Sequence, residues 1–262
     1  MKLIKGLRNW RFKLRRFSAH KRALPDFVVI GVPKSGTTSM FQYLAGHDQV
    51  LPPIQKEIYF FDRYHDKGQS WYQRFFPLRK ELQNRHLITG EASPYYFYGE
   101  QVPGRIHKIN PQIKLILVLR DPVERAWSHF RHNVKHGVEP RSFADAIHAE
   151  INGERPQEIR FRYLENGRYA DFVDSWNDQF DSSQLLVLES AKFFGETHSS
   201  MNRVAEFLNI RPFPTSEFSA ANVGSGSSEI PQQESKLLAE HFADSNHRLI
   251  QQLGNEFGNW IA

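Results

Sequence analysis

Gly31-Val32-Pro33-Lys34-Ser35-Gly36-Thr37-Thr38-Ser39 sets two glycines, a lysine and a run of hydroxyls at Thr37, Thr38 and Ser39 within nine residues. Glycines let the backbone turn tightly and bring its N–H groups close to an anion. If a helix opens at Thr37, its first N–H groups and its positive dipole end face the same way. Lys34 adds a full charge. The chemistry of such a loop is phosphate binding. It is not the nucleoside-triphosphatase loop, which needs Lys then Ser/Thr directly after the second glycine; here Thr37 stands there and the lysine lies inside the loop.

A second anion site reads from Arg120-Asp121-Pro122-Val123-Glu124, with Ser128 about two turns further on. Asp121 suits an N-cap, Pro122 the first helical position and Glu124 the third, which together make a capping box. Arg120 then ends a strand, where it can grip a phosphate through two parallel N–H donors, with the Ser128 hydroxyl as a third. Two separate anion sites point to a nucleotide phosphorylated at two distant places.

Pro33 to Thr38 taken with Arg120 and Ser128 resembles the sulfotransferases that use 3′-phosphoadenosine 5′-phosphosulfate (PAPS). The resemblance runs from about Phe27 to the end and is closest to the branch of heparan-sulfate-modifying and bacterial carbohydrate sulfotransferases. Lys56-Glu57-Ile58-Tyr59-Phe60-Phe61-Asp62, Gly90-Glu91-Ala92-Ser93-Pro94-Tyr95-Tyr96 and Gln184 to Leu188 extend it. It implies that Pro33, Lys34, Ser35, Gly36, Thr37, Thr38 and Ser39 hold the 5′-phosphosulfate, and Arg120 and Ser128 the 3′-phosphate. Glu57 is the implied base and Lys34 the group that stabilises the leaving phosphate. Lys56, Tyr59, Asp62, Glu91, Ala92 and Tyr95 fall on the acceptor side. Ser227 and Ser228 lie in a loop that in the family closes over the cofactor with cations; here Gly224 to Ser228 carries none. Tyr59 stands where heparan-acting members carry His, and Ala92 where they carry Lys, which points the acceptor away from heparan itself. The scheme needs no metal; its product is adenosine 3′,5′-bisphosphate, and its acceptor a glycan or small metabolite with a free hydroxyl or amine.

The elements that must position these groups alternate. Phe27 to Gly31 reads as a buried strand, followed by a helix from Thr37 to Ala45. A strand near Ile88 ends at Gly90-Glu91, Leu115 to Leu119 is fully apolar, and Leu185 to Leu188 is a fourth. Apolar patterning predicts helices at about 122–136, 143–150, 164–179, 199–208 and 232–253. The fold class is α/β, a central parallel sheet flanked by helices, with ligands beyond the strands' carboxyl ends.

The chain has 262 residues, no cysteine and a net charge of +5. Nine Lys/Arg and no acid fall in residues 1–22, leaving 25 basic against 29 acidic residues in the rest. A mildly acidic body with a basic leader argues against a nucleic-acid partner. The expected division is a basic amphipathic helix over 1–25 and a sulfotransferase domain over 26–262. Leu3, Leu7, Trp10, Leu14 and Phe17 form one apolar helical stripe. That stripe leaves three uses open: peripheral membrane contact through residues 3–17, docking on the body or a neighbouring subunit, or a frayed arm. Absence of cysteine, signal sequence and membrane span leads to an expected cytoplasmic location, at the inner membrane surface if the leader binds lipid. His129, His132 and His136 have a spacing that can gather a metal, but Arg131 and Lys135 among them repel a cation. Trp71, Trp176 and Trp260 read as core aromatics. Two other functions stay open on residue chemistry: a kinase-like phosphoryl transferase, which needs Mg²⁺ on a Walker-type hydroxyl and acid, and a non-catalytic protein recruited to membranes.

Overall fold

The computed structural model describes residues 12–214, 218, 229–254, 257 and 260. Its centre is a parallel sheet in the order β2-β1-β3-β4. The strands are β1 (Phe27–Gly31), β2 (Gly90–Ala92), β3 (Lys114–Leu119) and β4 (Leu185–Glu189). Successive residues of a strand point to opposite faces, and here both faces are covered. Val28, Ile30, Leu115 and Leu117 join a core with Phe97, Trp176 and Leu249. Phe27, Val29, Ile116 and Val118 join another with Met40, Leu44, Met201 and Val204. Two-sided burial is why β1 and β3 are continuous apolar runs rather than alternating ones.

The helices are α1 (Thr37–Gly46), α2 (Gln69–Gln73), α3 (Arg79–Arg85), α4 (Val102–Ile109), α5 (Pro122–Lys135), α6 (Phe143–Ile151), α7 (Ala170–Asn177), α8 (Ser190–Gly195), α9 (Thr197–Leu208) and α10 (Gln232–Leu253). β1 and β3 are neighbours, and Val32 N–H donates to Val118 O at 2.9 Å, so the two loops that follow these strands begin side by side.

Several expectations are corrected. The helix expected over 164–179 is only α7, preceded by single turns at Ile159–Phe161 and Glu165–Gly167. The chain must bend there: a Cβ at Gly167 would sit 2.6 Å from the Phe242 ring, and the Tyr169 hydroxyl reaches back to Arg120 O at 2.8 Å. β2 starts two residues later than Ile88, which instead bridges Val50. Helices α2, α3, α4 and α8 were not anticipated; α2, α3 and α8 are too short for a periodic pattern to register.

Of the leader's apolar stripe, Leu3, Leu7 and Trp10 lie outside the described residues. Leu14 and Phe17 stand 46% and 69% exposed. Phe12, outside the stripe, is the residue that packs, against Trp71 and Phe75. Arg15 and Arg22 donate to backbone carbonyls at Arg74 and Phe76, so this part of the leader is docked on the body.

Candidate active site

Beyond β1, Lys34 and Gly36 both take left-handed backbone, at φ 74° and 98°. The φ of Gly36 favours glycine, and a Cβ there would also lie 2.8 Å from the Phe194 ring. The turn delivers the chain into α1 at Thr37, whose first N–H groups have no partner within the helix. Ser35 is sealed, and its Oγ has no hydrogen-bond partner. Lys34 Nζ rests 3.4 Å from His132 Nδ1 on α5. Burial, then the charges of Arg120 and Lys135, push the Lys34 ammonium below its ordinary range. Burial and Lys34 likewise push His132 down to about 4, so this imidazole is neutral and accepts from the lysine.

Beyond β3, Asp121 caps α5 as expected, its carboxylate accepting from Glu124 N–H at 3.0 Å. The reciprocal half of the capping box is replaced. The Glu124 carboxylate turns to Arg120, at 3.0 Å from Nε and 2.9 Å from Nη2. A guanidinium two bonds wide is a stronger partner for a carboxylate than a neutral amide. A third Arg120 nitrogen reaches Lys34 O at 3.4 Å, tying the two loops together.

Glu57 faces these loops from a knuckle in which it and Tyr59 have φ of 60° and 56°. Side chains in that region cost of order 1–3 kcal/mol each and persist only where the surroundings hold them. Here Ile58, Phe60 and Phe61 are buried between and beyond the strained residues. Glu57 N–H donates to Ala92 O, Tyr59 N–H to Ser93 Oγ, and Phe60 N–H to the Tyr96 hydroxyl. Ser93 and Tyr96 in turn donate to Glu91 at 2.9 and 3.2 Å. The Glu57 carboxylate accepts from Lys56 Nζ at 2.7 Å and from the Tyr59 hydroxyl. Burial pushes Glu57 up, but those hydrogen bonds and the charges of Lys56 and Arg63 outweigh it, and the carboxyl lies below its usual range.

These groups meet in one cleft of about 1050 Å³. Pro33, Lys34, Gly36, Thr37, Thr38, Ser39, Glu57, Tyr59, Tyr95, Arg120 and Ser128 all line it. Lys56 touches it through Thr38 and Glu57. Three expected acceptor contacts do not reach it. Glu91 and Ala92 are fully buried on β2, where the sheet is covered on both faces. Glu91 is instead the anchor beneath the knuckle, pushed up to about 7 by burial. Asp62 lies beside Arg63, away from the cleft. Ser227 and Ser228 lie outside the described residues. The cleft also takes in Tyr43, His129, Glu189, Thr197, Phe218 and Trp260, which the sequence reading did not assign to a site. Trp260 belongs to the core as expected, and its indole N–H also donates to Glu189 at 3.1 Å at the cleft wall. The i, i+3 spacing of His129 and His132 was noticed for metal chemistry, and the same spacing explains why both rings face one wall.

A parallel sheet with two anion-seeking loops and a carboxylate at its carboxyl edge defines a group-transfer site. Residues 24–220, about three quarters of the chain, match the family model described as "Sulfotransferase domain", and the chain belongs to that family. Among relatives it is 33% identical over 201 residues to the human bifunctional heparan sulfate N-deacetylase/N-sulfotransferase 3, covering 72% of this chain and 23% of that protein. It is 28% identical over 261 residues to the human heparan sulfate glucosamine 3-O-sulfotransferase 6, covering 91% of this chain and 74% of that protein. The chain thus spans under a quarter of the bifunctional relative's length. A solved sulfotransferase from Alicyclobacillus acidocaldarius shares the fold at a TM-score of 0.73 and 24% identity, over 92% of this chain and 100% of that one.

Proposed function

We propose that the chain transfers a sulfuryl group from PAPS to a hydroxyl or amine of a glycan acceptor. The observation that carries this reading is the single cleft shared by the Lys34 loop, Arg120, Ser128 and Glu57. The residues fit a doubly phosphorylated nucleotide. Ser35, sealed beneath the loop, does not reach the cleft, but a Lys34 depressed by burial and by the charges of Arg120 and Lys135 is what an anion there would relieve. Thr37, Thr38 and Ser39 at the head of α1 would hold the 5′ group, and Arg120 with Ser128 the 3′-phosphate.

When bound, the nucleotide supplies an activated sulfuryl group and leaves as adenosine 3′,5′-bisphosphate. Glu57 takes the proton that the acceptor hydroxyl or amine loses as it attacks. Its carboxylate is ionised at neutral pH, and Lys56 and Tyr59 hold it in place. Lys34 offsets negative charge gathering on the 5′-phosphate. The glycan acceptor is favoured by the relatives, whose names place them on heparan sulfate. Of the two departures from heparan-acting members, only Tyr59 lies in the cleft, so acceptor choice would turn on that position and not on the buried Ala92.

The test is calorimetric titration with adenosine 3′,5′-bisphosphate, with ATP and Mg²⁺ as control. Micromolar binding of the bisphosphate that weakens about tenfold to a hundredfold in Arg120→Ala is expected, the range for a hydrogen-bonded charged group. No bisphosphate binding, or preference for ATP, would overturn the reading. Glu57→Gln should keep that binding while labelled sulfate transfer to a glycan that wild type sulfates falls about 10²- to 10⁴-fold.

A further inference from the structure

Behind the cleft wall, α5 carries Arg125, His129 and His132 on one face, and the first two are almost wholly buried. Arg125 Nη1 lies 3.3 Å from His129 Nδ1, and Arg125 Nη2 donates to Tyr163 O at 2.6 Å. On the other side of the imidazole, His129 Nε2 is 3.1 Å from the Tyr95 hydroxyl. A guanidinium has five donors and no acceptor. His129 Nδ1 must therefore accept, and a neutral ring that accepts at one nitrogen carries its proton on the other. His129 Nε2–H consequently donates to the Tyr95 oxygen.

That fixes the polarity of the phenol. Its oxygen receives from behind, so its proton is left for the open side, where Tyr95 lines the cleft with Glu57, Ser128 and His132. Among the described residues its one hydrogen bond is to His129. The neighbouring phenol differs: the Tyr59 hydroxyl already donates its hydrogen bond to Glu57. Burial pushes Tyr95 up to about 12, so the hydroxyl stays a donor at any working pH. His129 is held neutral by burial and by the charges of Arg125 and Lys34.

We propose that Tyr95 is a further catalytic residue whose hydroxyl donates to a sulfonate oxygen of the bound nucleotide, and that His129 and Arg125 are positioning residues that fix the direction of that donation. The inference rests on the proposed nucleotide and adds to it a contact that sees the sulfuryl group alone. Negative charge on the sulfonate oxygens makes such a bond stronger than one between neutral groups.

Two nucleotides that differ by that group separate the claims. Wild type, Tyr95→Phe, His129→Gln and His129→Leu are titrated with adenosine 3′,5′-bisphosphate and with PAPS. Tyr95→Phe is expected to bind the bisphosphate as wild type does, which also shows that it folds, and to bind PAPS about tenfold more weakly. His129→Gln can accept from Arg125 through its amide oxygen and donate to Tyr95 through its amide nitrogen, so it should stay within about threefold of wild type. His129→Leu should match Tyr95→Phe. In ¹⁵N-histidine-labelled free protein at pH 7, His129 is expected as the neutral Nε2–H tautomer. Unchanged PAPS affinity in Tyr95→Phe, wild-type affinity in His129→Leu, or an Nδ1–H tautomer would overturn the proposal while the nucleotide reading stands. Wild type that binds neither nucleotide overturns both.

Discussion

The segments leaving β1 and β3 begin side by side, yet one presents backbone and the other a side chain. After β1, two left-handed residues and the head of α1 aim N–H groups outward, and among the described residues the Lys34 ammonium leans on a neutral imidazole. After β3, the cation is Arg120, already clasped by Glu124. An anion meets a prepared surface at the first loop and must displace or share a carboxylate at the second. Two anion sites in one cleft can thus differ in readiness although each is built on a single cation.

Gly36→Ala strikes the prepared loop hardest. Left-handed backbone costs a Cβ-bearing residue about 1–2 kcal/mol, and the Phe194 ring would have to swing aside for the new methyl. Bisphosphate affinity should fall at least about tenfold in calorimetry, and an unchanged affinity would show that loop shape does not set binding. Glu124→Gln sharpens the other side. Freeing Arg120 from an exposed pair worth about 0.2–1 kcal/mol should tighten bisphosphate binding up to about fivefold. Weaker binding would mean that Glu124 positions the guanidinium instead of restraining it.

A further effect is on stability. His132 titrates near 4 in the fold against an ordinary 6.5. Between those values the unfolded chain binds more protons, so this group's contribution is present above pH 6.5 and is lost as pH falls towards 4. Urea unfolding of His132→Asn across that window should show a flatter loss than wild type; parallel curves would refute the assignment.

The β1 loop was legible in the sequence because its chemistry lies within consecutive residues. Glu57 was reached by resemblance, and Lys56 and Tyr59 are close enough in the chain to follow it. Glu91 was misplaced because nothing local tells an acid at a strand end from one sealed between two cores. Tyr95 meets Arg125 and His129 only when β2 and α5 come together around β1, so the relay could not be read from the histidine spacing alone. Gly167 hid the break in the expected helix at 164–179, since its close approach to Phe242 depends on α10, far along the chain.

The knuckle that carries Glu57 has a consequence for heat. Its two left-handed residues are kept in place by core side chains and by a ladder of donors ending on buried Glu91. A shape so dependent on the interior has no local melting of its own. Activity should therefore vanish on warming at the temperature where the whole domain unfolds, with no earlier, softer loss of the base.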